Sequence, residues 1–133
     1  MTTERIFLAL AGANGFVAVA LGAFGAHGLR SALASAPDGA HRLEVWETAA
    51  RYQMMHALAL GLVAYLCTRT SSSAAVFAGW SMQAGIVIFC GSLYALTLSG
   101  VRGLGAITPL GGLCMLAGWA SVVAAALTVR TPG

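Results

Sequence analysis

Tyr52, Gln53 and His56 form the densest set of side chains able to do chemistry in an otherwise apolar setting, lying within about one turn of each other on a predicted helix. His56 falls near the middle of its apolar run, at about the depth of Asn14 and Gln83 on two other runs. Polar groups inside a membrane mark a site by default, and an imidazole can titrate near neutral pH and so serve as acid or base. The same side chains also suit a purely structural role. Asn14, Gln53, His56 and Gln83 would then satisfy one another as an intramembrane polar core, at roughly 0.6 to 2 kcal/mol per bond, because a neutral imidazole both donates and accepts.

A second set gathers where the runs reach the membrane boundary. His27 closes a glycine-rich string at the loop end of the first run, where Trp46, Glu47, Arg51, Tyr52, Tyr94 and Thr108 should also emerge. These seven residues are the candidate lining of a pocket for a lipid headgroup or a small polar ligand, since ligand sites are concave and hold few convergent polar groups. Glu47 and Arg51 are spaced i, i+4 and face nearly away from His56. They could act as a gate or a proton-handling carboxylate with its counter-ion, or form a surface pair worth about 0.3 to 0.5 kcal/mol with Arg51 snorkelling outward.

Other chemistries lack their residues. His27, His41 and His56 show no HxxxH or HxxH spacing, Cys67, Cys90 and Cys114 no CxxC, and no carboxylate stands near to orient an imidazole, so neither a metal nor another cofactor is expected. Phosphate loops and Ser-His-Asp arrangements are missing, and the glycines around His27 belong to a helix with no preceding strand. The net charge of +3 comes from arginines spread singly at 5, 30, 42, 51, 69, 102 and 130. Nucleic acid binding would need a clustered basic face.

The elements that must position these residues are membrane helices. Hydrophobic residues make up 59% and charged residues 8%, whereas a soluble globule carries about 25% charged residues, so lipid is the solvent for most of the chain. Residues 6–29, 70–101 and 103–129 contain no charged side chain, and each is long enough for the roughly 20 helical residues that span a bilayer. A fourth run, 54–67, reaches that length when extended back through Trp46, an expected interfacial anchor. The predicted fold is all-α, an integral membrane up-down four-helix bundle in one domain, with helices near 5–29, 40–67, 74–98 and 109–129 and both termini on the same side. Short connections after the second and third helices enforce antiparallel neighbours.

Particular residues set the ends and faces. Pro37 breaks the chain, Ser72 or Ser73 can cap the third helix, and Thr108 before Pro109 reads as an N-cap with an N1 proline. Ala11, Asn14, Ala18, Gly22 and Gly25 share one stripe of the first helix, and Gly111, Cys114, Gly118, Ser121 and Ala125 share one of the fourth; such stripes let helices approach closely. Gln83, Val87, Cys90, Tyr94 and Thr97 share a side of the third. Arg42 belongs to the polar first third of the second helix, expected in the headgroup zone. The first apolar run lacks a positively charged leader and exceeds the ~7 to 15 residues of a signal h-region, so it is expected to stay as a span. No internal repeat supports an inverted-repeat transporter, and the arginines divide too evenly to orient the chain.

Five segments resemble a known family: GAFGAHGL at 22–29, Trp46-Glu47-Thr48 followed by Tyr52, Gln53 and His56, Gly91-Ser92-Leu93-Tyr94, GAITPLGG at 105–112, and Gly118-Trp119. In this order, over nearly the whole chain, they are similar to the YgdD/YwdK-like small membrane proteins, the domain of unknown function numbered 423. The resemblance implies a multi-pass protein of the bacterial inner (plasma) membrane with no established activity. Its usual pattern has Ser where Cys90 stands, which argues against a redox or metal role there. The expected function is a non-enzymatic component that binds lipid or a small ligand or assembles a complex. Membrane lipids, a second copy or a larger membrane complex are the expected partners. A small oligomeric channel or transporter, joined through stripes such as that of the fourth helix, is the alternative, and a histidine-based enzyme acting on lipid comes third.

Overall fold

The computed structural model describes residues 1–132, and no strand occurs among them. Four long helices account for most of the chain: α1 (Thr3–Ala32), α2 (Gly39–Arg69), α3 (Ser73–Ser99) and α4 (Thr108–Ala126), with a 3₁₀ turn at Arg102–Ala106 before α4. Their ends fall within three residues of the positions that the sequence predicts. Ser72 caps α3 as expected, its hydroxyl accepting from the Ala74 N–H at 3.2 Å. Gly100 ends α3 with φ +72°, a left-handed conformation that glycine adopts without steric cost, and its N–H returns to the Leu96 carbonyl. Thr108, in contrast, caps nothing. Ile107 occupies the N-cap position with no side-chain bond, because the Thr108 hydroxyl turns inward to Ser92 at 2.6 Å.

Three segments are long and apolar enough to cross a membrane: α1, α3, and α4 with its preceding 3₁₀ turn. The more polar α2 is the central element, packed along α1 on one side and α3 on the other. Its buried positions include Trp46, Ala49, Gln53, His56, Leu60 and Val63, three or four residues apart, so one broad face meets protein and not lipid. Phe7, Asn14 and Leu21 on α1 correspond to Leu60, Gln53 and Trp46 on α2: the first two share a buried cluster and the others are hydrogen-bonded. This seven-residue spacing, running in opposite directions, belongs to antiparallel helices crossing at a shallow angle.

Small residues set the approach of α3 to its neighbours. A side-chain carbon on Gly79 would enter the Phe7 ring, and one on Gly111 would strike the Phe89 backbone. At Gly118 it would lie 2.7 Å from Met82. Gly111, Gly118 and Ala125 are buried and Ser81 donates to the Cys114 carbonyl at 2.7 Å. Of the predicted α4 stripe, Gly111, Gly118 and Ala125 are therefore covered within the chain, while Cys114 and Ser121 are half-buried.

Two π-helical turns interrupt the long helices, Gly25–Leu29 in α1 and Ile86–Cys90 in α3. Each inserts extra backbone and rotates the remainder of its helix about the axis. Across the second, Ile86 and Cys90 are buried while Val87 is 62% exposed, so Val87 does not share the inner side expected of it.

Candidate functional site

A continuous chain of hydrogen bonds links three helices, buried at Asn14 and Gln53 and half-buried at Gln83 and Tyr94. The Tyr94 hydroxyl donates to Gln53 Oε1 (2.8 Å), Gln53 Nε2 to Asn14 Oδ1 (3.1 Å), and Asn14 Nδ2 to Gln83 Oε1 (2.9 Å) and the Leu10 carbonyl (2.9 Å). The α1 stripe delivers Asn14, α2 delivers Gln53, and α3 delivers Gln83 on one side of its π turn and Tyr94 on the other. Three of the four predicted core residues thus meet, with Tyr94 joining from the set expected at the boundary. The Tyr94 hydroxyl and both N–H groups of Asn14 find acceptors, and such pairing is what lets a polar network stabilise a helix interface.

His56 is not part of this chain. It faces α4, where Trp119 Nε1 donates to its Nε2 at 3.1 Å, while its Nδ1 lies 2.8 Å from the Tyr52 carbonyl. An indole N–H only donates and a carbonyl only accepts, so these partners assign the neutral tautomer with its proton on Nδ1. Both ring nitrogens are occupied. Tyr52 stacks on the imidazole, with centroids 6.1 Å apart and planes 12° apart, and its other neighbour is Phe89 at 4.7 Å.

These rings form the floor of a groove between α2, α3 and α4. Its volume is about 530 Å³, and its walls include Phe89, Pro109, Gly112, Met115 and Leu116. Leu116 and Trp119 are 67% and 41% exposed, so the groove opens on the outer surface of the helices. Gly112 leaves it wide: a side-chain carbon there would meet nothing nearer than the Phe89 ring at 4.0 Å. Sequence alone does not reveal Trp119 or the groove, because they combine three helices whose rotations periodicity does not relate. The Gly118-Trp119 pair, an indole beside a helix-packing glycine, is the one available signal.

The predicted boundary pocket does not form. His27 and Arg51 are exposed. Glu47 pairs with Arg30 of α1 at 3.5 Å and not with Arg51, since the α1–α2 packing brings Arg30 beside it. Tyr52 joins His56, and Thr108 joins Ser92. Only Trp46 and Tyr94 remain together, in edge contact with centroids 4.6 Å apart. Trp46 is 3% exposed, buried and no interfacial anchor, because its indole N–H reaches the Leu21 carbonyl at 2.8 Å just before the first π turn. Gly25 makes room for it: a side-chain carbon there would sit 2.6 Å from the indole. Gly25→Ala is expected to lower stability by about 1 to 3 kcal/mol, read as an earlier melting transition in detergent. An unchanged transition would show that the indole can withdraw without loss.

Arg42, expected only in the headgroup zone, locks the end of α3. Its Nε donates to the Thr97 carbonyl at 2.9 Å, the Thr97 hydroxyl can donate to the Arg42 carbonyl at 3.1 Å or to the Leu93 carbonyl at 3.0 Å, and Asp38 lies 3.6 Å away. A cation at a helix C-terminus answers the free carbonyls and the negative end of the dipole. Among the described residues, no group of three or more His, Cys, Asp or Glu side chains comes together in a way that could hold a metal.

The family described as "Protein of unknown function (DUF423)" matches residues 21–112, which hold the Gly25 turn, Gln53, His56, Tyr94 and the first part of the groove wall. The UPF0382 membrane protein YwdK of Bacillus subtilis is 47% identical over 124 residues, covering 92% of this chain and 97% of the relative. UPF0382 membrane proteins of Staphylococcus epidermidis and Staphylococcus aureus are 46% and 43% identical, over 92% and 91% of this chain and 96% and 94% of theirs. No solved structure matches.

Proposed function

The chain belongs to the DUF423 family, whose relatives carry the name of membrane proteins without an activity, and from that premise we propose that it is a multi-pass protein of the bacterial inner membrane that binds the apolar chain of a lipid without transforming it. All four helices span in this reading, up and down, with both termini on one side. The hydrogen bond between Thr70, after α2, and Thr128, after α4, supports that arrangement at 2.7 Å.

The observation that carries the binding reading is the groove of about 530 Å³ floored by Tyr52, His56 and Trp119. It is apolar, it opens where lipid chains lie, and its volume falls within the ~300 to 1,000 Å³ typical of ligand sites. The non-enzymatic part rests on His56. A general base needs a nitrogen within reach of a substrate proton, and here both nitrogens already have protein partners.

Filling the groove tests the reading. Native mass spectrometry of gently extracted protein should find a lipid adduct on the wild type and lose it in Gly112→Phe, which elutes and melts like the wild type. Equal retention in both proteins, or a bare wild type, would place lipid elsewhere or nowhere.

A further inference from the structure

At the junction of α2 and α3, far along α2 from Arg42, an open surface depression of about 440 Å³ is lined by Cys67, Thr68, Arg69, Thr70, Ser71 and Arg130. No carboxylate lines it. Its hydrogen bonds identify the donors left for a ligand. Thr68 Oγ1 donates to the Tyr65 carbonyl and Thr128 Oγ1 to the Ala125 carbonyl, each at 2.7 Å. Thr70 must then be the donor in its 2.7 Å contact with Thr128, and its oxygen also receives the Ser72 N–H. The Ser71 hydroxyl and the guanidiniums of Arg69 and Arg130 remain. Neither arginine has an ion pair or a hydrogen-bond partner among the described residues. Arg69 is steadied over the Tyr65 ring at 5.9 Å, a contact that leaves its N–H groups free.

Each guanidinium carries five N–H donors in a rigid fork that matches a phosphate. The surroundings select the rest of the ligand. Tyr65, 56% exposed, carries Arg69 over its ring and accepts from Thr68, so apolar surface adjoins a cationic group, as at the level of a phospholipid glycerol. Two guanidiniums without a partner among the described residues also disfavour a headgroup that brings its own cation. Of the acidic side chains, Asp38 and Glu47 pair at the other end of α2, with Arg42 and Arg30, and Glu4 at the start of α1 is near enough to act on Cys67 but does not line the site.

We infer that this depression binds the phosphate of an anionic phospholipid, with Arg69 and Arg130 as its ligands. The site is separate from the groove, and the inference does not rest on lipid binding there.

The test uses the full chain in neutral detergent, titrated separately with phosphatidylglycerol, phosphatidylcholine and glycerol 3-phosphate, with affinity read by native mass spectrometry. Phosphatidylglycerol should bind about tenfold more tightly than phosphatidylcholine. Arg69→Gln and Arg130→Gln should each weaken phosphatidylglycerol roughly fivefold, the effect of one basic residue at an anionic headgroup, and leave phosphatidylcholine unchanged. Arg130 is exposed and outside the helices, so its variant reports on the ligand even if Arg69→Gln disturbs folding. Arg102→Gln, at the other end, should keep the preference, as should the groove-filling Gly112→Phe. Equal affinity for the two lipids, or the same loss in Arg102→Gln as in Arg130→Gln, would overturn the site. Tighter binding of glycerol 3-phosphate than of either lipid would overturn the lipid assignment in favour of a soluble phosphate.

Discussion

Gly111→Leu should leave little folded protein. The first added carbon would run into the Phe89 backbone, and backbone inside a packed helix pair does not swing aside as a side-chain tip can. Overpacked cores ordinarily lose about 1 to 3 kcal/mol through side-chain adjustment. Here α4 must move away from α3 as a body, loosening Gly118 against Met82 and the Ser81 bond to Cys114, so the loss should reach or exceed the top of that range. Size-exclusion profiles after stepwise heating would measure it, with Gly112→Phe as the control one residue away. A Gly111→Leu protein that melts with the wild type would mean that the α3–α4 contact is not close-packed.

The second large effect is expected at Asn14. Asn14→Leu removes the partner of Gln53 Nε2 and of Gln83 Oε1 together; a buried orphan such as Gln53 costs about 1 to 3 kcal/mol, and the half-buried Gln83 adds about 1 kcal/mol, the low end of that range. A total loss of roughly 2 to 4 kcal/mol is expected. The penalty arises from stranded partners and not from the missing amide itself. A variant with Asn14→Leu, Gln53→Leu, Gln83→Leu and Tyr94→Phe should therefore recover much of the stability, since no donor or acceptor of the chain remains unpaired. Chemical or thermal melting of the two variants side by side distinguishes this account from one in which the amides act independently, where the fourfold variant would be the least stable. If the fourfold variant also keeps its lipid adduct, the hydrogen-bonded chain is structural.

Both predictions rest on features that are partly legible in the sequence. The helix-period stripe through Asn14, Ala18 and Gly25 identifies the face of α1 that meets protein, and charge-free runs locate the helices because hydropathy acts through length and composition alone. Asn14, Gln53 and Gln83 are legible as a core because an unpaired amide in hydrocarbon is too costly to leave exposed. The π turns are not, since an inserted residue changes rotation without changing composition, and this is why helical periodicity puts Val87 on the wrong side. Inter-helix partners are hidden for a related reason. His56 and Asn14 share a depth but not a direction, and only the rotation of α4 shows that Trp119 takes the imidazole. The boundary set disperses because depth sorts residues into a layer, whereas a pocket requires them to face one point.

The central place of α2 bears on how the protein enters its membrane. Glu44, Glu47 and Arg51 lie on this helix, and each such residue costs an isolated segment about 2.5 to 3.5 kcal/mol near its centre and less toward its ends. Within the four-span arrangement, α2 is therefore the weakest candidate for recognition by the insertion machinery on its own. Its partner α1, already synthesised and strongly apolar, supplies Asn14 for Gln53, the Leu21 carbonyl for Trp46 and Arg30 for Glu47. Biogenesis should thus proceed by insertion of a preassembled hairpin, with α1 acting as an intramolecular chaperone for the helix after it.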